Sequence, residues 1–301
     1  MTKFSGHSMG LLLALSAAAC WGGATVMSKG ALADFSPVLL LVVQIGASVC
    51  VLWSILSFCG RALPSWKELW RFAWLGLLEP GLAYLLGLTG LVDTTAGAAT
   101  LILTSESLMI MLLSYFMLGE RVSIAFAGFA MLSLSGLPLA LGIGGASTSF
   151  GGVISVALLL GAALSAAFYV VLSSRFVARQ DPLMIVACQQ MTALVFALLL
   201  LPMDMLLHGI PSVQDIGTAG WLFAALSGVL QYAAAFSLYL AAMQRISTGL
   251  AGMFLNFVPI FGLAGAYLFL GETLSLSQIA GATLTIGALL MLNIHQRRAE
   301  R

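Results

Sequence analysis

Apolar residues run along this chain for roughly 20 positions at a time with few polar interruptions. Ten such runs can be drawn, at 9–29, 36–58, 70–91, 96–118, 122–142, 152–174, 182–206, 218–243, 248–270 and 275–295. A helix rising 1.5 Å per residue needs about 20 apolar residues to cross the hydrocarbon of a bilayer. A membrane barrel would alternate polar and apolar residues along each strand, and these runs do not alternate. The pattern therefore predicts an all-α integral membrane protein with ten transmembrane helices. The connections are short; 61–66, the Gly/Ser-rich 142–152 and 208–217 stand out, and none is long enough for a soluble domain.

One of these runs has a twin. Residues 96–120 (AGAATLILTSESLMIMLLSYFMLGE) match 248–272 (TGLAGMFLNFVPIFGLAGAYLFLGE), 152 residues later. Both open with a small residue then Gly, and both close on Leu-Gly-Glu. Other positions repeat as well: Leu15-Ser16-Ala17-Ala18 returns as Leu164-Ser165-Ala166-Ala167, and Pro37 with Gln44 returns as Pro182 with Gln189. Such spacing predicts two copies of one unit, 1–145 and 146–301. Five helices per unit is an odd number, so the second copy enters the membrane from the opposite side and the repeats are inverted. Two similar halves of this kind can exchange conformations and move an opening from one face to the other, which is alternating access.

Composition agrees. Of the 301 residues 61% are hydrophobic and 8% charged, with mean hydropathy +1.08, against roughly 25% charged in a soluble domain. A net charge of +1 offers no basic face for nucleic acid. With the N-terminus inside, Lys3, Arg61, Lys67, Arg71, Arg121, Arg175, Arg179, Arg245, Arg297, Arg298 and Arg301 are all cytoplasmic, and of the 12 basic residues only Lys29 is outside. That bias predicts ten spans with both termini cytoplasmic. The segment 1–9 leads into an apolar run too long for a signal peptide and reads as the first span. Cys20, Cys50, Cys59 and Cys188 show no metal spacing and read as packing residues. No metal or cofactor is expected.

At this point the chain resembles the drug/metabolite transporter superfamily, EamA family. The matching residues are Val258-Pro259-Ile260-Phe261 through Leu270-Gly271-Glu272, followed by Leu274-Ser275. In the first half they are Glu106 and Gly119-Glu120, followed by Val122-Ser123. The family's usual proline after that first glutamate is Ser107 here. The resemblance covers nearly the whole chain. Within the family the sequence looks most like YddG-type exporters, which implies export of aromatic and other neutral amino acids. It also implies a multi-pass protein of the bacterial inner membrane, working as a monomer with small molecules and the lipid bilayer as its partners.

Ionised groups are expensive at mid-bilayer, about 2.5–3.5 kcal/mol each on insertion scales. Glu79 lies 14 residues before Asp93 and Glu106 lies 13 after it. Across a hairpin both sit roughly 20 Å from the turn, so they share a depth and can share a proton. Their twins are Gln231 and Val258, so the acids belong to one half only. That asymmetry suits a substrate with unlike ends: carboxylates for an ammonium, amides and hydroxyls for a carboxylate. The structural alternative is a protonated glutamate bonded to a neighbouring helix, and for Glu79 a partner to carbonyls freed by Pro80.

Gln44, Gln189, Gln190, Gln231 and Asn256 can bind either end of an amino acid, or join helices for roughly 0.6 kcal/mol each. Trp21 beside Gly22-Gly23 is too deep for an interfacial belt. Tyr84, Tyr169, Tyr232 and Tyr239 also lie within spans and suit a cavity wall. Trp66, Trp70 and Trp74 cluster with Lys67 and Arg71 as an interface anchor. Gly119-Glu120 and Gly271-Glu272 lie at helix ends and read as caps of the helix that follows.

The expected transport path is Trp21, Gln44, Glu79, Tyr84, Glu106, Gln189, Gln231, Tyr232 and Asn256, between the runs at 70–91, 96–118, 218–243 and 248–270. Pro80 and Pro259 are its expected hinges. Other classes fare worse. His7, His208 and His295 lie in tails, loops or at a helix end, which leaves no mid-membrane Ser-His dyad or His-ligated metal, and no phosphate-binding G-x-x-x-x-G-K-[ST] occurs. An aspartyl-type intramembrane enzyme using Glu79 and Glu106 is conceivable; a channel would lack substrate saturation.

Overall fold

The computed structural model describes residues 6–60, 65–119, 152–177, 180–209 and 213–271, with isolated positions within 128–132 and 276–291. Among the described residues, eight helices are long and apolar enough to cross a membrane. They are α1 (Gly6–Ala31), α2 (Pro37–Phe58), α3 (Leu69–Val92), α4 (Ala96–Leu118), α5 (Val153–Val177), α6 (Pro182–His208), α7 (Ile216–Met243) and α8 (Thr248–Leu270). The protein is a multi-pass membrane protein. The expected spans at 122–142 and 275–295 lie almost wholly outside the described residues, as do Glu120 and Glu272.

Local chemistry sets the helix ends. Ser36, Asp181 and Ser247 cap α2, α6 and α8, each side chain accepting from an N–H of the first turn, which satisfies a donor that the helix itself cannot. Pro37 and Pro182 follow their caps, where a missing N–H costs nothing. Gly119 (φ 70°) and Gly271 (φ 65°) end α4 and α8 in the left-handed region that glycine enters without strain. Trp70 and Trp74 are exposed at the start of α3, as an interfacial anchor requires.

Four helices are interrupted near their middles. In α3 a 3₁₀ turn (Trp74–Leu77) leads into a wide π turn (Leu78–Leu82), and Glu79 there leaves helical geometry (φ −148°, ψ 128°) before a cis bond to Pro80. In α7 a π turn spans Val229–Ala234. In α4 the break falls at Thr104, and in α8 a 3₁₀ turn covers Leu255–Phe257. Pro259 sits in the first turn of the helix that resumes at Val258.

The outward surface is apolar: Phe116, Leu199 and Phe269 are 76%, 75% and 81% exposed, which suits lipid and would be untenable over a whole surface in water. Inside, small residues dominate the contacts, Ala17, Ala18, Ala24, Ala163 and Ala167 among them, since close approach is what holds helices together in lipid. The main pairings are α1 with α7 and α8, α5 with α3 and α4, α2 with α6 and α7, α6 with α3, and α4 with α8.

Hydrogen bonds define the two ends of the bundle. At one end Lys29 Nζ donates to the carbonyls of Leu91 and Val92 (3.0 and 2.9 Å), and Ser36 Oγ donates to Asp204, which also meets His208 Nδ1 at 3.0 Å. At the other, Arg175 donates to Met117 O (3.0 Å) and Gln244 to Val177 O and Gln180 O (3.0 and 3.1 Å). The α1 helix therefore finishes at the same end as α3, while α5 finishes at the end where α4 and α7 finish.

Candidate functional site

The broken helices position the site. Between α1, α3, α4, α5, α7 and α8 lies a cavity of about 100 Å³, measured as the space open to the centre of a water molecule. That is room for several waters or part of a small solute. Its wall takes Glu79 and Tyr84 from α3, Leu103 and Glu106 from α4, Gln231 from α7, and Leu255 and Val258 from α8. Each of these helices thus meets the cavity at or beside its interruption, where backbone is freed from its regular ladder. Irregular backbone at membrane depth is tolerated where it lines a cavity or is buried in protein.

The unbroken helices α1 and α5 complete the wall with Trp21, Thr25 and Ser28, and with Leu159, Tyr169 and Val170. Trp21 of α1 is among the expected path residues, whereas α5 supplies none of them, although Tyr169 lies within its span. Thr25 and Ser28 gave no signal, because isolated hydroxyls are common in membrane helices. Part of the wall belongs to an aromatic cluster around Phe236. Its ring lies 5.2 Å from Trp21, 5.8 Å from Tyr169, 6.1 Å from Tyr84 and 6.3 Å from Tyr232, and Trp21 also meets Tyr239 at 5.2 Å.

Of the expected path residues, Trp21, Glu79, Tyr84, Glu106 and Gln231 line this cavity. Glu79 is buried and Glu106 half-buried, and each lies within reach of the other's charge. The carbonyl of Leu78 at the α3 break is taken by Ser165 Oγ at 2.9 Å, so a hydroxyl of α5 takes up that acceptor.

Gln44, Gln189, Tyr232 and Asn256 do not line the cavity. Gln44 donates through Nε2 to Ser28 Oγ (2.9 Å) and Ser227 Oγ (2.8 Å), and accepts from Tyr232 Oη (3.4 Å). Gln189 donates to Phe72 O (3.3 Å) and Ser173 Oγ (3.2 Å), and accepts from Tyr169 Oη (2.7 Å). In both amides the two N–H donors and the carbonyl are engaged with neighbouring side chains or backbone. Gln190 accepts from Ser48 and donates to Tyr232 O (2.9 Å). Asn256 accepts from Ser107 Oγ at 2.7 Å, joining the breaks of α8 and α4.

Among the described residues no cluster of His, Cys, Asp and Glu has the make-up of a metal site. No Lys, Arg or His lies on the described cavity wall. The described wall thus presents two carboxylates, several aromatic rings and no basic side chain.

A bundle of membrane-crossing helices around a central, partly polar cavity is the form of a membrane transporter. Residues 8–142 and 153–294 match the EamA-like transporter family, and the chain belongs to it. Relatives include a chloroplastic WAT1-related protein of Arabidopsis thaliana, 25% identical over 280 residues, covering 91% of this chain and 66% of that one. An uncharacterized transporter of Methanothermobacter thermautotrophicus is 30% identical over 220 residues, 71% of this chain and 62% of the relative. The chain thus spans somewhat less than two thirds of the length of these two relatives. Protein PecM of Dickeya dadantii is 24% identical over 238 residues, 79% of this chain and 78% of that one. A crystal structure with 21% identity shares the fold over 99% of both chains, with a TM-score of 0.75.

Proposed function

We propose that this protein exports small metabolites bearing an ammonium group and an apolar body, aromatic and other neutral amino acids above all, as a YddG-type exporter does. The observation that carries this reading is the composition of the cavity wall: Glu79 and Glu106 beside aromatic rings, with no basic side chain on the described wall. The carboxylates receive the ammonium, and the rings around Phe236 receive the side chain.

Transport runs by alternating access between two inverted five-helix halves, 1–145 and 146–301. Supporting this, equivalent positions of the halves recur in equivalent surroundings. Glu79 and Gln231 both line the cavity from broken stretches of α3 and α7, and Glu106 and Val258 do so from α4 and α8. The opposite finishing ends of α1 and α5 also favour inversion. The chain sits in a bacterial inner membrane with both termini cytoplasmic, a reading that rests on the basic-residue count, and it acts as a monomer. The halves rock about the interrupted stretches at Pro80 and Pro259.

The test is flux of labelled phenylalanine in proteoliposomes, competed by a panel of amino acids. Saturable uptake with competition by aromatic and neutral amino acids is expected. If neither amino acids nor aromatic amphiphiles compete, the substrate assignment is wrong. A second reading, export of other amphiphilic metabolites or drugs, draws support from the apolar stretch of wall formed by Leu88, Leu91, Leu103, Leu159 and Leu255; it predicts competition by aromatic amines without amino-acid transport.

A further inference from the structure

Two side chains of the cavity wall carry donors without a partner among the described residues. Trp21 Nε1 and Tyr239 Oη are buried without a hydrogen bond among the described residues, on side chains 8% and 1% exposed. The other buried polar atoms in that condition, on Trp53, Ser105, Ser114, Trp221 and Ser237, belong to residues that do not line the cavity. The two rings touch, with centroids 5.2 Å apart. Tyr239 also lies within electrostatic reach of both Glu106 and Glu79. Buried donors are nearly always paired in folded proteins, and an unpaired one needs a reason. Both side chains border the cavity, from which a solute that moves them slightly can supply the missing acceptor, although neither donor atom is itself open to that space.

We propose that Trp21 and Tyr239 are specificity-determining residues, whose indole N–H and phenol O–H receive the carboxylate of a zwitterion while its ammonium faces Glu79 and Glu106. This rests on the amino-acid reading given above and deepens it by assigning the acid end. The amides named from the sequence are poor candidates for that end, because Gln44 and Gln189 spend their hydrogen bonds on neighbouring groups.

The electrostatics select the zwitterion over either singly charged relative. A monoanion would bring a carboxylate into an enclosed site that holds two acids and no described cation, which burial makes unfavourable. A bare amine would satisfy the acids and leave both donors unmatched. An α-amino acid carries both charged groups on one carbon and answers both parts of the wall.

The experiment is counterflow in proteoliposomes with separately labelled phenylalanine and phenethylamine, its decarboxylated analogue, for the wild type, Trp21→Phe and Tyr239→Phe. Both substitutions keep an aromatic ring and remove one donor. The wild type is expected to prefer phenylalanine at least about tenfold, the size of a hydrogen bond to a charged group. In each variant that preference falls toward unity because phenylalanine uptake weakens more than phenethylamine uptake, and an unchanged elution and melting profile in detergent shows that the variant is folded. Variants that keep the wild-type ratio overturn the assignment of the acid end and leave amino-acid export standing. Equal handling of the two probes by the wild type also overturns it. Wild-type protein that moves phenethylamine and no phenylalanine removes the amino-acid reading and this inference together.

Discussion

Gly228 of α7 lies against the backbone of Gln44 so closely that a Cβ there would fall 2.3 Å from both its Cα and its carbonyl oxygen. The counterpart contact sets Gly76 of α3 on Gln189 of α6, where a Cβ would fall 1.8 Å from the carbonyl oxygen. Backbone atoms cannot swing aside as a side chain can. Alanine at Gly76 or Gly228 is expected to destabilise the protein by about 1–3 kcal/mol or more, read as a lower melting temperature in detergent. Alanine at Gly46, which has nothing within 4 Å, should be neutral or stabilising by up to about 1 kcal/mol. An equal loss at all three positions would contradict this account.

Gln189→Leu separates a helix-joining role from a substrate-binding one. Its amide holds Tyr169, Ser173 and the Phe72 carbonyl, so the variant should lose about 1–2 kcal/mol of stability, at roughly 0.6 kcal/mol per membrane hydrogen bond. Half-saturation for substrate should stay within about twofold of wild type. A large rise in KM with unchanged stability would return Gln189 to the transport path.

Glu106→Gln tests for a proton carrier. With Glu106 exchanging a proton for substrate, wild-type export should respond to an imposed pH gradient and the variant should not. An unchanged response in Glu106→Gln removes this residue from the role, and absence of any response in the wild type indicates transport down the substrate gradient alone.

Ser165→Ala removes the donor to the Leu78 carbonyl at the α3 break. A neutral hydrogen bond of this kind contributes about 1 kcal/mol, and the expected signature is local. Hydrogen exchange around Leu78–Leu82 should quicken while the ends of α3 keep their protection. Uniform quickening along α3 would mean that the break is held by something else.

Lys29→Met should cost about 0.3–1 kcal/mol, because the ammonium caps the last carbonyls of α3 and favours the negative end of that helix. The effect should shrink at high ionic strength; a salt-independent loss would point to packing of the lysine stem.

The helical membrane class was legible from hydropathy alone, and the Leu-Gly-Glu endings already marked where α4 and α8 stop. Glu79 and Glu106 stood out because acids are rare at that depth, and both line the cavity. The amides were legible as buried polar groups, but direction was not. Gln44 and Gln231 read alike in sequence, yet Gln44 is occupied between helices and Gln231 reaches the wall. That difference depends on how each helix is rotated, which a uniformly apolar run with no amphipathic stripe does not encode. The contribution of α5 and of the α1 hydroxyls was missed for a related reason: Thr25 and Ser28 are unremarkable until their neighbours are known.

The two glycine contacts have a mechanical consequence. Gly228 fastens α7 to α2 and Gly76 fastens α3 to α6, and neither α2 nor α6 gives a residue to the described cavity wall. Main chain pressed on main chain makes a keel that resists sliding. Because Gly76 and Gly228 belong to α3 and α7, two of the helices that line the cavity are held at these points to helices that do not.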